Sequence, residues 1–117
     1  MKKTNPQTLE LVRILRKASR ENQAPIWLTV SRALSKPRKN MAQVNISRIA
    51  RFTKEGETVA IPGKVLGTGR VNHRLKVAAL GFTAGAKKKI IIAGGSCTTL
   101  IELLEQNPKG TNIKIMR

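Results

Sequence analysis

Residues 75–95 read LKVAALGFTAGAKKKIIIAGG. The first part, Leu75–Phe82, is apolar enough to be a buried strand. The second part, Ala84–Ala93, admits two readings. Three consecutive isoleucines, 90–92, favour a strand by propensity. Yet Ala86, Ile90 and Ala93 fit one helical face, Lys87, Lys88 and Lys89 project outward, and Gly94-Gly95 is a natural helix stop. The spacing predicts a helix, so this stretch is a strand followed by a helix. That choice makes the second half of the chain mixed α/β rather than all-β.

The flanking segments extend the pattern. Thr99–Gln106 reads as a helix with Leu100, Leu103 and Leu104 on its apolar face. Pro108–Gly110 turns the chain, and Ile113–Met116 is a closing strand. Upstream, Thr58–Ile61 is a short β-branched strand, Pro62-Gly63 a turn and Lys64–Leu66 a second short strand. The N-terminal half is helical. Asn5 is placed to cap a helix opened by Pro6, in which Leu11, Ile14, Leu15 and Ala18 recur at helical spacing. Glu21-Asn22-Gln23 ends it. Pro25 opens a second helix, with Ile26, Val30, Ala33 and Leu34 on one face, and Pro37 stops it. Trp27 lies beside that face and reads as a packing anchor, with base stacking as the alternative. Residues 35–43 form a basic loop. Asn45 then caps a short helix with Ile46, Ile49 and Ala50 behind and Arg48 and Arg51 in front. The expected organisation is one domain over residues 1–117, helical over 1–52 and mixed α/β over 53–117.

Charge narrows the function. The chain holds 23 Lys plus Arg against 6 acids, all Glu, for a net +17. Such an excess repels itself in the free protein, and a polyanionic partner compensates by counterion release. A membrane surface would call for a basic amphipathic helix with a broad apolar face; here the charge is spread over many short segments. No run approaches the length of a membrane span, and MKKTNPQ has no apolar run behind it to make a secretory signal. The single cysteine excludes an intrachain disulfide and suits a reducing cytosol. The expectation is a soluble, cytoplasmic protein.

Catalysis is short of parts. With one His, one Cys and no Asp or Tyr, a Ser-His-Asp triad is excluded as written, and so is a three-His or His/Cys metal site within one chain. His73 sits among Arg70, Arg74 and Lys76 with no carboxylate close in sequence. Cys97 follows Gly94-Gly95-Ser96 and reads as a small buried residue rather than a nucleophile. Gly67-Thr68-Gly69 lacks the third glycine of a dinucleotide loop and the Gly-Lys pair of a P-loop. No cofactor, metal or small-molecule substrate is expected.

Basic residues remain, in three clusters. The first is Lys36, Arg38, Lys39 and Asn40, with Arg48 and Arg51 after it. The second is Arg70, Asn72, His73, Arg74 and Lys76, and the third is Lys87, Lys88 and Lys89. Acids hardly intersperse them: residues 32–76 hold eleven Lys and Arg and only Glu55 and Glu57. Arg and Asn bond phosphates and base edges, and Lys supplies charge. Asn45 and Lys64 complete the expected RNA contacts. Aromatics are scarce, so stacking on unpaired bases is not the expected main mode; shape and backbone recognition of folded RNA is. GTGRVNHRLK, residues 67–76, is expected to be a loop whose glycines let its backbone approach RNA.

These residues also carry a resemblance. LSKPRKNMAQVNISRIAR, LGTGRVNHRLKVAALGFTAGAKKKIIIAGGS and LLEQNPKG resemble the large-subunit ribosomal protein eighteen family of archaeal and eukaryotic type, which is related to bacterial large-subunit protein fifteen. The likeness runs along nearly the whole chain, and the short length looks archaeal. It implies a structural protein of the large ribosomal subunit that binds ribosomal RNA beside neighbouring ribosomal proteins. It also implies an α/β fold in which N-terminal helices precede an irregular strand-strand-helix stack. A free-standing nucleic-acid packaging or RNA-processing protein is the alternative.

Overall fold

The computed structural model describes residues 6–36 and 41–116. Five helices run α1 (Pro6–Asn22), α2 (Pro25–Leu34), α3 (Ile46–Arg51), α4 (Ala84–Ile92) and α5 (Leu100–Gln106). Five strands alternate with the later ones: β1 (Ala42–Asn45), β2 (Thr58–Leu66), β3 (Lys76–Phe82), β4 (Ser96–Thr99) and β5 (Ile113–Ile115). The expected α/β class is the one observed, with the strands joined in one sheet. Residues 84–92 are helical as the spacing predicts. Thr83 caps that helix by accepting from the Ala86 N–H at 3.2 Å. At α5, Thr99 and Glu102 bond each other's backbone N–H groups in a capping box.

Every strand pair is parallel. The order is β1-β2-β3-β4, and β5 also pairs with β2. Since β3 occupies one edge of β2, β1 and β5 share the other. β5 pairs with Thr58–Ala60 and β1 with Gly63–Leu66. Strands covered on both faces carry continuous apolar runs, and β2 and β3 do. Val59, Ile61, Val65, Val77 and Ala79 face one core, with Ile46 and Ile49 of α3 and Ala86 and Ile90 of α4. Ala60 and Ala78 face the other, with Leu11, Leu15, Trp27, Val30, Leu34, Leu100 and Leu103 from α1, α2 and α5. The molecule therefore has three layers: α1, α2 and α5 on one side of the sheet, α3 and α4 on the other.

Three sequence expectations need correction, and one strand was not expected. Pro62-Gly63 is not a turn between two strands but a bulge inside the single strand β2. The register to β3 slips between Ile61 and Lys64 there, and a bulge tolerates a residue that lacks an N–H. The basic loop 35–43 is shorter than expected, because Ala42 already pairs with Gly63. β4, Ser-Cys-Thr-Thr, has no apolar alternation and gave no strand signal. Asn45 stands at the N-cap of α3, yet its side chain makes no capping bond. The expected roles of Asn5 and Pro37 lie outside the described residues.

Trp27 is fully buried, and its indole N–H donates to the Pro108 carbonyl at 2.8 Å. It is the packing anchor, which leaves no face for a base. Gly63 meets a tighter demand. A Cβ there would collide with the Ala42 carbonyl of β1. Gly63→Ala should therefore lower the unfolding free energy by about 1–3 kcal/mol. Gly85, in α4, has open space around it, so Gly85→Ala should leave stability unchanged or raise it by about 0.4–1 kcal/mol. Urea midpoints of the two variants against the parent protein check the contrast.

Candidate nucleic-acid interface

β2 and β3 are parallel neighbours, so the chain must return the length of the sheet between them. Here no helix makes that return. Residues 67–75, most of GTGRVNHRLK, cross the face that also carries α3 and α4. Leu75 is buried in the core beneath, and Val71 packs against it. The rest of the crossover lies between the two helices and is tied to both.

The α3 side holds three attachments. The Ser47 N–H donates to the Thr68 carbonyl at 3.4 Å. Gly69 has φ +98°, and a Cβ there would strike the Ser47 side chain; only glycine meets both demands. Farther along, Thr53 Oγ1 donates to the Ile49 carbonyl at 2.6 Å and lies 2.9 Å from His73 Nε2. A hydroxyl has one proton, and Ile49 takes it, so Nε2 of His73 must be the N–H donor to Thr53. His73 is thereby a strut between the crossover and α3, and its Nε2 has no lone pair for base chemistry.

The α4 side is held by Lys89. Its ammonium donates to the Gly67 carbonyl at 2.8 Å and the Gly69 carbonyl at 3.0 Å. Gly67 lies on the first turn of α4, where a Cβ would sit 2.8 Å from the Ala86 nitrogen. Both glycines thus serve close packing against the protein's own helices. At the far end Glu55 takes both the Arg74 N–H and the Arg74 Nε, each at 2.9 Å. The paired Arg74 guanidinium and backbone N–H hold the Glu55 carboxyl below its ordinary range. Glu57 is likewise lowered, first by the Lys54 N–H and then by Lys114.

The expected RNA contacts therefore divide. Arg48, Arg51, Arg70, Asn72, His73, Arg74, Lys87, Lys88 and Lys89 come together in the layer made by α3, the crossover and α4. Within it, Arg48, Arg51, Arg70, Lys87 and Lys88 are exposed and make no side-chain bond among the described residues. His73, Arg74 and Lys89 are spent on holding the crossover. Lys76 bonds Gln106 of α5, on the opposite side of the sheet. Lys64 alternates with the buried Val65 and so points away from this layer. Lys36 follows α2 in the other helical layer. Asn45 has its Oδ1 buried without a partner among the described residues. Arg38, Lys39 and Asn40 lie outside the described residues.

Among the described residues no three metal-ligating side chains converge, and no helix is long and apolar enough to cross a membrane. Cys97 is on β4, where burial pushes its thiol pKa up and leaves it a poor nucleophile, with Lys87 opposing only in part.

The sequence profile described as "Ribosomal protein 60S L18 and 50S L18e" matches residues 1–117. The chain belongs to this family. Its similarity to individual members is high throughout. It is 51% identical to the large ribosomal subunit protein eL18 of Methanothermobacter thermautotrophicus, over 97% of this chain and 94% of that protein. Against the eL18 of Methanospirillum hungatei it is 49% identical, over 98% of this chain and 95% of the other. Against that of Archaeoglobus fulgidus it is 45% identical, over 99% of both. Archaeal family membership, as the residues suggested, is thus established.

Sequence reasoning missed the residues that hold the crossover in place: Ser47, Thr53, Glu55 and the supporting role of Lys89. A signal existed for one of them. Glu55 is one of two acids in a basic stretch, and an isolated carboxylate amid cations marks an internal partner. Because its folded pKa is depressed, its pairing is fully present above the ordinary value of 4.5 and is lost as pH falls below it. Thermal midpoints of the parent and of Glu55→Gln should differ at pH 6 and draw together as pH falls below 4.5. A gap that persists at low pH would show that the Arg74 pairing does not hold the crossover.

Proposed function

We propose that the layer formed by α3, the crossover and α4 is the face laid on large-subunit ribosomal RNA, and that residues 1–117 act as one RNA-binding domain. The chain is a structural component of the large ribosomal subunit, works on the ribosome in the cytoplasm, and is not an enzyme. In this reading Arg48, Arg51, Arg70, Lys87 and Lys88 meet phosphates, while neighbouring ribosomal proteins contact surfaces outside the layer. The supporting observation is convergence. Three segments far apart in sequence, each basic, are brought into one layer whose internal cations are already spent on holding it rigid. The exposed cations are then presented on a fixed backbone, and a contact made by a preorganised side chain costs less ordering on binding.

Two measurements test this. Replacing Arg48, Arg51 and Arg70 together by Ala should lower the slope of log affinity against log salt for ribosomal RNA by about two to three units, one per lost phosphate contact. An unchanged slope would remove the layer from the interface. In cells, sedimentation through a high-salt sucrose gradient should recover the protein in stoichiometric amount with the large subunit. Recovery only in light fractions would favour a packaging or processing protein.

A further inference from the structure

The chain has three aromatic residues, and they are treated differently. Trp27 is buried, and Phe82 packs against the core beneath α4. Phe52, at the C-terminus of α3, is 54% exposed. It stands in the basic layer, next to Arg51 and four residues after Arg48. Positions four apart share one helical face, so Arg48 and Phe52 rise side by side. Ile46 and Ile49 face the core instead.

The backbone under Phe52 is fixed from three directions. Its N–H donates to the Arg48 carbonyl at 3.3 Å. Its carbonyl accepts from the Lys114 ammonium, which reaches over from β5, at 2.8 Å. The next residue, Thr53, is buried and bonded to Ile49 and His73. An exposed phenyl ring held on a rigid backbone, with guanidinium groups before it and beside it, has the chemistry of a base-stacking platform. The ring supplies an apolar π-face, and the arginines neutralise the flanking phosphates.

We propose that Phe52 stacks on an unpaired nucleobase of ribosomal RNA, with Arg48 and Arg51 on that nucleotide's phosphates. This rests on the basic layer being the RNA face. It adds a single-nucleotide site to what is otherwise recognition by charge and shape. A protein partner over Phe52 is the competing occupant. The layer's charge argues for RNA: Arg48 and Arg51 are exposed next to Phe52 in the chain, and the nearest acids in sequence, Glu55 and Glu57, are already paired with Arg74 and Lys114.

The test uses the full chain and protein-free large-subunit ribosomal RNA across a salt series. Stacking carries no net charge, so Phe52→Leu should weaken binding by about fivefold or more without changing the salt slope. Phe52→Trp should retain the parent affinity, because any aromatic face serves. Short-wave ultraviolet crosslinking of the parent complex should attach a nucleotide to Phe52. Equal affinity of the Leu variant, or a reduced slope, would overturn the proposal; the second result would make Phe52 a support for the arginines. Normal binding of the Leu variant to bare RNA with poor incorporation into subunits would assign Phe52 to a protein neighbour. Failure of the basic layer itself is read separately, from Arg48→Ala with Arg51→Ala leaving the slope unchanged.

Discussion

The backbone of β2 must satisfy its hydrogen bonds along both edges while its side chains are buried on both faces. One edge is simple, because β3 runs beside it. The other is served by two short strands, β5 from the C-terminal end of the chain and then β1 from the segment after α2. Pro62 and Gly63 fall where the first hands over to the second. A residue without an N–H is harmless at that gap, and a residue without a Cβ lets β1 come close. The bulge thus joins the N-terminal helices to the C-terminal strand through one buried ribbon.

A second constraint follows from parallel pairing. The connection from β2 to β3 has to recross the sheet, and a helix usually does it. Residues 67–75 do it without helix or strand, which leaves their polar groups to find partners. The Gly67, Thr68 and Gly69 carbonyls are met by Lys89 and the Ser47 N–H, the Arg74 N–H by Glu55, and the His73 ring by Thr53. These partners come from α3, α4 and the segment between α3 and β2, so the crossover is tied down at both ends and in between. The same bonds hold the crossover that carries Arg70 against α3, which carries Arg48 and Arg51.

Much of the fold was legible in the sequence because most elements carry a period. The apolar spacing of α1, α2 and α5 and the runs in β2 and β3 each answer to a local rule. The isoleucine run at 90–92 shows where propensity yields to spacing: Ile90 is buried, while Ile91 and Ile92 stay exposed on α4. β1 and β4 were illegible because four-residue strands pair through backbone, which side-chain pattern does not report. The site divides in the same way. Cation clusters are visible as composition, but whether a lysine points outward or caps carbonyls depends on tertiary neighbours. Lys88 and Lys89 are adjacent in sequence and serve opposite ends.

The shared edge of β2 also sets an order on synthesis. β1 and the helices emerge early, yet the first three residues of β2 wait for Ile113–Ile115 to cover them. Trp27 waits as well, for a carbonyl 81 residues downstream. Contacts this distant in sequence form late and slow folding. Until then the growing chain carries an open strand edge and a half-covered core, the features that make nascent proteins stick together. A net charge of +17 keeps such partly folded chains apart by mutual repulsion. The surface that draws this protein to a polyanion is therefore also its protection before it gets there.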